Sequence, residues 1–351
     1  MNMNKLDKIR DFDPNAIGDT NSNIYGLPFD CEEAELVILP VPWEVTVSYS
    51  PGTASGPEAV FDASYQVDLF DPFVKDAWKL GIAMQQVDGN IKTRNNAWRK
   101  KAEKYIAMLA EGQIPGKNPS MLKMKTDIDQ ACMEMNRWVK SESLKHLSKN
   151  KTVAVLGGDH SSPLGLIQAL AEKHDSFGIL QVDAHADLRE AYEGFEFSHA
   201  SIMFNALKMG QISHLVQVGI RDYCEAEQEI IHSDKRISTY FDRDIMHKLF
   251  GGKTWAEIVE DIIKALPEKV YLSIDIDGLD PGLCPNTGTP VPGGLSFEQT
   301  VFLLEQIAGS QRTIIGFDLS EVAPGNDEWD ANVGARLLYR LANLTLKSQG
   351  L

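Results

Sequence analysis

Cysteine is scarce in this chain. Four residues among 351, Cys31, Cys132, Cys224 and Cys284, lie scattered with no paired spacing. That pattern argues against a disulfide framework and reads as reduced thiols in a cytoplasmic protein. Long apolar runs are missing too. No stretch approaches the roughly 20 apolar residues of a membrane helix. The opening Met1-Asn-Met-Asn-Lys-Leu-Asp-Lys8 has no apolar core of signal-peptide length. Positive charge is in deficit, with 34 Lys and Arg against 50 Asp and Glu and a formal net charge of −16. Phosphates would be repelled, which argues against a nucleic-acid partner. The acidity suits a cationic small substrate, although it is also a common solubility device. No repeat, low-complexity tract or linker divides the chain.

What remains is ordinary globular composition, 43% hydrophobic and 24% charged. Apolar runs and helical stretches alternate from residue 35 onward. Strands are expected at 35–40, 152–156, 177–182, 215–218, 270–274 and 313–317. Helices are expected near 57–66, 97–111, 124–148, 163–174, 200–209, 254–266, 296–309 and 329–347. Ser162 and Pro163 read as the N-cap and first position of the fourth of these. Continuous apolar runs such as Thr152-Val-Ala-Val-Leu156 suit strands buried on both faces, as in parallel sheets. The expectation is α/β, with a central mainly parallel sheet and a single domain over 1–351. Residues 1–34 are expected to be irregular, and 76–150 a mainly helical, insertion-like region without chemistry. The Pro-, Gly- and Ser-rich Val41–Gly56 reads as a long functional loop.

The chemistry gathers at strand ends. After Phe177–Val182 come Asp183, His185 and Asp187, alternate residues that an extended backbone would place on one side. Two aspartates and a histidine together have no core-packing explanation, because burying them is costly without a neutralising cation. A solvated turn is the plain alternative. Asp275 and Asp277 alternate in the same way after Val270–Ile274, and His160 follows Thr152–Leu156. Four carboxylates balance two divalent cations. The oxygen-rich, imidazole-containing set suits manganese, with nickel, cobalt, iron or zinc as alternatives. No cysteine is near these positions in sequence, which argues against a structural zinc site.

These residues resemble a known family. Gly157-Gly-Asp-His-Ser161, Asp183-Ala-His-Ala-Asp187 and Ser273-Ile-Asp-Ile-Asp-Gly-Leu-Asp-Pro281 are similar to the three metal motifs of the ureohydrolases, the arginase and agmatinase family. Thr287-Gly-Thr-Pro-Val-Pro-Gly-Gly294 and Asp318-Leu-Ser-Glu-Val322 match its flanking motifs. The resemblance is close over 151–345 and looser over 35–66. It implies a three-layer α/β/α fold, two divalent metal ions, most commonly manganese, and hydrolysis of a guanidino group to urea and an amine. It also implies homotrimers or homohexamers. His160 and Asp187 would bind one metal and His185 and Asp277 the other, with Asp183 and Asp275 bridging. A bridging hydroxide would attack the guanidinium carbon, and Asp187 would carry a proton to the leaving amine. Glu321 would orient the guanidinium, its plain alternative being an ion pair that holds a loop. His199 matches a histidine near the cleft mouth that shuttles protons, although Ala200 follows it where many members have Gly. Asp159, Asp280 and Asp318 read as hydrogen-bonding or turn residues.

Substrate choice is less legible. Leu188–Ser198 lacks the Asn- and Ser-rich pattern by which arginases hold an amino acid head, and it looks more like agmatinases. Its Glu190, Glu193 and Glu196 would suit a substrate that is cationic at its far end. The Trp43–Gly56 loop resembles subgroups that include guanidine hydrolases, some using nickel, so guanidine and guanidinobutyrate stay open. Histone-deacetylase-like enzymes share the fold and need one zinc, which Asp183, His185 and Asp275 would satisfy. A non-catalytic homologue is the third reading.

Overall fold

The structure is a computed structural model that describes residues 5–351. Among the described residues, eight strands form one sheet: β1 (Leu36–Val41), β2 (Ile82–Met84), β3 (Thr152–Gly157), β4 (Phe177–Val182), β5 (Ile212–Val218), β6 (Ile237–Tyr240), β7 (Lys269–Asp275) and β8 (Thr313–Ser320). The spatial order is β2-β1-β3-β8-β7-β4-β5-β6, and every pairing is parallel. Around it lie α1 (Lys5–Asp11), α2 (Gly56–Ser64), α3 (Gly89–Ala110), α4 (Pro119–Leu147), α5 (Leu164–Lys173), α6 (Ile202–Leu207), α7 (Glu225–Ser233), α8 (Asp242–Phe250), α9 (Trp255–Lys264), α10 (Phe297–Gly309) and α11 (Trp329–Ser348).

The strands are apolar throughout because both faces are covered. Alternate residues enter different cores, as a two-residue period requires. Ala154, Leu156, Leu272 and Ile274 join Val60, Ile262, Leu303 and Leu341 of α2, α9, α10 and α11. Val153, Val155, Ile179 and Tyr271 face the other way and join Ile128, Met135 and Ile167 of α4 and α5. This is the expected α/β/α layering.

The order of strands positions the site. Leu156, Leu319, Ile274 and Val182 are register partners in turn across β3, β8, β7 and β4. These four central neighbours therefore end level, and the residues just beyond that row share one rim of the sheet. Open parallel sheets bind ligands at such carboxyl ends. Two glycines let the exits close together. A Cβ on Gly158 would lie 1.9 Å from Trp43 O, and one on Gly278 2.6 Å from Asp183 N.

Several expectations need correction. Within the segment expected to be irregular, Lys5–Asp11 is helical, tied down by Lys5 to Glu35 at 2.9 Å and Lys8 to Glu33 at 2.6 Å. Residues 1–4 of that expectation lie outside the described residues. Residues 76–150 supply edge strand β2 as well as helices that cover one sheet face. The two long helices begin earlier than expected, at the caps Asp88 and Asn118, whose side chains accept backbone N–H groups of the first turn. Ser162 does not cap α5, and its hydroxyl has no hydrogen-bond partner. Strands β2 and β6 and helices α7 and α8 were not anticipated. The two strands are three- and four-residue edges, too short to show a period.

The closeness of Gly278 to the β4 exit makes a first prediction. In Gly278→Ala, the new methyl meets backbone, which cannot rotate away. Overpacking of this kind costs about 1–3 kcal/mol. A lowered urea-denaturation midpoint is expected, and a wild-type midpoint would show that this approach is not tight.

Candidate metal centre and its pocket

Each strand exit delivers a polar side chain by its own local device. Beyond β3, His160 is buried and its ring is braced from behind. Ser273 Oγ donates to Asp318 Oδ1 at 2.9 Å, and Tyr271 OH donates to the same oxygen at 2.7 Å. With its hydrogen so used, Ser273 Oγ accepts from His160 Nε2 at 2.9 Å. The network assigns the proton to Nε2 and leaves Nδ1 free to act as a ligand. Nδ1 has no hydrogen-bond partner, yet it stands 3.0 Å from Asp183 Oδ2, 3.0 Å from Asp187 Oδ2 and 3.4 Å from Asp275 Oδ2.

Beyond β4 the backbone is not a continuing strand. Asp183 accepts from His185 N at 2.6 Å, and Asp187 adopts a left-handed φ of 54°. The turn nevertheless brings Asp187 back beside Asp183 at His160. His185, half-buried, faces Asp277 at 3.1 Å and Asp183 at 3.7 Å. Beyond β7, Asp275 accepts from Asp277 N at 2.9 Å, and Asp277 accepts from Ala184 N at 3.0 Å, linking the two exits. Two groups of potential ligands result: His160, Asp183 and Asp275, and Asp183, His185 and Asp277. Within each, the candidate ligand atoms lie within 4.8 Å of one another, and Asp183 is common to both.

The electrostatics match a cation-binding cluster. Burial disfavours both imidazolium ions, but the facing carboxylates outweigh it. His160 is raised well above its ordinary value beside Asp183 and Asp187, and His185 is pushed up to about 12 beside Asp277 and Asp183. Burial and neighbouring charge push Asp187 up to about 7, and Asp275 well above the usual carboxylate range. Oxygen and imidazole donors, an orphaned buried ring nitrogen and this excess of carboxylates fit divalent metal ions.

Glu321 follows β8 with a left-handed φ of 63°. One of its oxygens is committed, because Oε1 accepts from His160 N at 2.9 Å. Oε2 faces Gly288, at 3.5 Å from where a Cβ would stand. A narrow recess beside it is lined by Val47, Ser48, Tyr49, His199, Gly288 and Thr289. His199 is half-buried, packs edge-on against Tyr192 at 5.8 Å, and has an unpartnered Nδ1. Burial and the charges of His185 and His160 push it down to about 4. Asp159 accepts from Ser161, and Asp280 from Gly282 N, as hydrogen-bonding and turn residues do.

A cavity of about 290 Å³ opens over the cluster, lined in part by His185, Asp187, Arg189, Tyr192, His199 and Asp222. The three glutamates expected to face a cationic substrate do not line it. A tight reversal, with Tyr192 and Phe195 exchanging backbone hydrogen bonds at 3.1 and 2.8 Å, turns that stretch away. Glu196 instead lies 3.8 Å from Lys125 of α4. Acidic character at the mouth comes from Asp222; Glu227 also lines the cavity, but it is buried, its two oxygens accept from Leu188 N and Cys224 N, and Arg189 stands 3.7 Å away.

Other supporting residues were missed. Thr239 donates to Gln217 at 2.8 Å, Gln217 to Gln181 at 2.7 Å, and Gln181 to Asp183 Oδ2 at 2.8 Å, an amide chain running across β6, β5 and β4. Glutamines in the apolar runs 177–182 and 215–218 were the available signal. Arg221 spans Asp277 O at 2.7 Å and Val291 O at 2.9 Å.

Comparison with known proteins is consistent with this geometry. A family model described as the Arginase family matches residues 34–343. Over 313 residues the chain is 34% identical to N(1)-aminopropylagmatine ureohydrolase of Thermus thermophilus, covering 89% of this chain and 91% of that one. It is 28% identical to agmatinase of Bacillus anthracis, covering 85% and 87%. A solved structure of a hypothetical agmatinase from Burkholderia thailandensis superposes with a TM-score of 0.69 at 24% identity, covering 93% and 91%. An arginase from Bacillus caldovelox does so at 0.62 and 22%, covering 87% and 97%. At these identities, the two structures establish the shared fold.

The brace behind His160 generates a prediction that needs no substrate. In Ser273→Ala, the imidazole loses the partner that fixes its tautomer. Loss of such a support costs about 10- to 100-fold in metal affinity. Competition with a chromogenic chelator measures it, and an unchanged affinity would contradict the role given to Ser273.

Proposed function

The chain belongs to the arginase family, and on that premise we propose that it hydrolyses a guanidino compound to urea and an amine, as agmatine hydrolysis to putrescine would. His160, Asp183, His185, Asp187, Asp275 and Asp277 would hold two divalent metal ions, manganese first and nickel as the alternative. The carrying observation is Asp183, a buried carboxylate common to two ligand groups beside an orphaned imidazole nitrogen. When bound, such ions supply Lewis acidity and lower the pKa of water, so that a nucleophile exists at neutral pH.

The chain's own residues would do the rest. Glu321 Oε2 faces the recess and can take an N–H of the substrate guanidinium while Oε1 keeps its hold on His160 N. A one-oxygen contact therefore replaces the bidentate fork that the residue type alone suggests. Asp187, beside Asp183 and His160, would pass a proton to the leaving amine. His199, uncharged near neutrality, can accept one at the mouth. The single-zinc deacetylase reading leaves His160, Asp187 and Asp277 without purpose, although the structure brings them to the same cluster. Among the described residues, no helix is long and apolar enough to cross a membrane. A homotrimer or homohexamer is part of the same proposal.

The substrate side rests on the relatives' names and on the mouth. Agmatine and aminopropyl-substituted agmatine both carry a far ammonium group that the exposed Asp222 could face. Guanidine and guanidinobutyrate stay in the same test. Urea release should be faster from one of these four than from arginine, and a higher kcat/KM for arginine would refute the assignment.

Two variants test the machinery. Asp183→Ala should release no urea and hold fewer than two metals per chain; wild-type activity after chelation would overturn the metal mechanism. Glu321→Gln keeps a carbonyl oxygen for His160 N but loses the charge. Removing one oriented catalytic group costs about 2–4 kcal/mol, roughly 30- to 1,000-fold in kcat/KM. Normal kinetics with a lowered melting temperature would leave Glu321 a purely structural role.

A further inference from the structure

The wall of the recess opposite Glu321 is the stretch Val47-Ser48-Tyr49, in the long loop after β1. Among the described residues its regular structure is slight, and Tyr49 is 69% exposed. Its shape is imposed from outside by α3, in the region where the sequence shows no chemistry. The Arg99 side chain is only 11% exposed. Its Nη1 donates to Val45 O at 3.3 Å and also to Val47 O, while Nε lies 3.2 Å from Glu103. Asn95, one turn earlier, accepts from Glu44 N at 2.8 Å, and Glu44 in turn accepts from Gly52 N and Ala54 N at 2.7 and 3.1 Å.

We propose that Arg99 is a positioning residue for the substrate pocket: one buried guanidinium fixes the Val45 and Val47 carbonyls, and so holds Val47–Tyr49 against the recess shared by Glu321 and His199. A planar guanidinium can donate to two carbonyls while it ion-pairs with a carboxylate, here through an Nε that makes no hydrogen bond, an arrangement lysine does not reproduce. Its positive charge also acts on the pocket's other loop. Burial pushes the Glu193 carboxyl above its ordinary range, and the charge of Arg99 offsets part of that. Glu193 has a left-handed φ of 52° and a buried Oε2 without a hydrogen-bond partner. Arg99 thus holds the Val45–Val47 loop by hydrogen bonds, without contacting a metal ligand.

The proposal rests on the reading of this recess as the guanidinium seat, so the test has one arm that needs no substrate. Arg99→Met keeps the aliphatic stem and removes the donors. Chymotrypsin cleavage after Tyr49 in the metal-loaded full chain should accelerate about tenfold or more, with two metals still bound. For whichever of agmatine, guanidinobutyrate or guanidine the wild type hydrolyses fastest, KM should rise about tenfold or more while kcat changes less. Arg99→Lys should fall between the two and serves if Arg99→Met does not fold. Unchanged cleavage after Tyr49 would overturn the proposal, as would a kcat loss with KM unchanged. If the wild type cleaves none of these three compounds and no aminopropyl-substituted agmatine, the functional reading fails, and the cleavage arm alone still decides on Arg99.

Discussion

Everything at the rim of this sheet depends on a buried surplus of negative charge. Asp183, Asp187, Asp275 and Asp277, all buried, converge with two histidines at the floor of the cavity, and Glu321 adds a fifth carboxylate behind them. Left to itself, such a cluster takes up protons, as the upward displacement of Asp187, Asp275 and Glu321 shows. Divalent cations resolve the conflict with opposite charge at short range. The fold holds the carboxylates in place against their own repulsion. They hang from three level strands, β4, β7 and β8, and His160 from a fourth, β3, that pairs with β8.

The tension is absorbed locally. Asp187 and Glu321 sit in left-handed backbone, a conformation that costs a non-glycine residue of order 1 kcal/mol or more and is characteristic of functional sites. Backbone N–H groups of His160, Ala184, His185 and Asp277 each donate to a carboxylate of the cluster. Behind them, the Ser273–Asp318 brace orients His160 and the Gln181–Gln217–Thr239 chain steadies Asp183. These groups are buried, and the connected hydrogen bonds leave the key carboxylates little freedom to rotate.

Much of this was legible in the sequence, for a simple reason. A parallel strand buried on both faces is a short apolar run, and a ligand at its carboxyl end comes immediately after it in the chain. That is why β3, β4, β7 and β8 could be read together with His160, Asp183, His185, Asp187, Asp275, Asp277 and Glu321. The edge strands could not, being only three and four residues long. Nor could the supports: Gln181 and Ser273 look like stray polar residues in apolar runs until neighbouring strands are laid beside them. The glutamates of 188–198 misled because composition does not say which way a loop turns. Arg99 lies 61 residues before His160, a distance that only the packing of α3 against the loop after β1 makes irrelevant.

The central claim is that two cations share Asp183. Electron paramagnetic resonance of protein stripped of metal and reloaded with two equivalents of manganese(II) tests it directly. The account predicts the spectrum of a spin-coupled pair in the wild type and its loss in Asp183→Ala. Separate, uncoupled manganese signals in the wild type, at full loading, would contradict it.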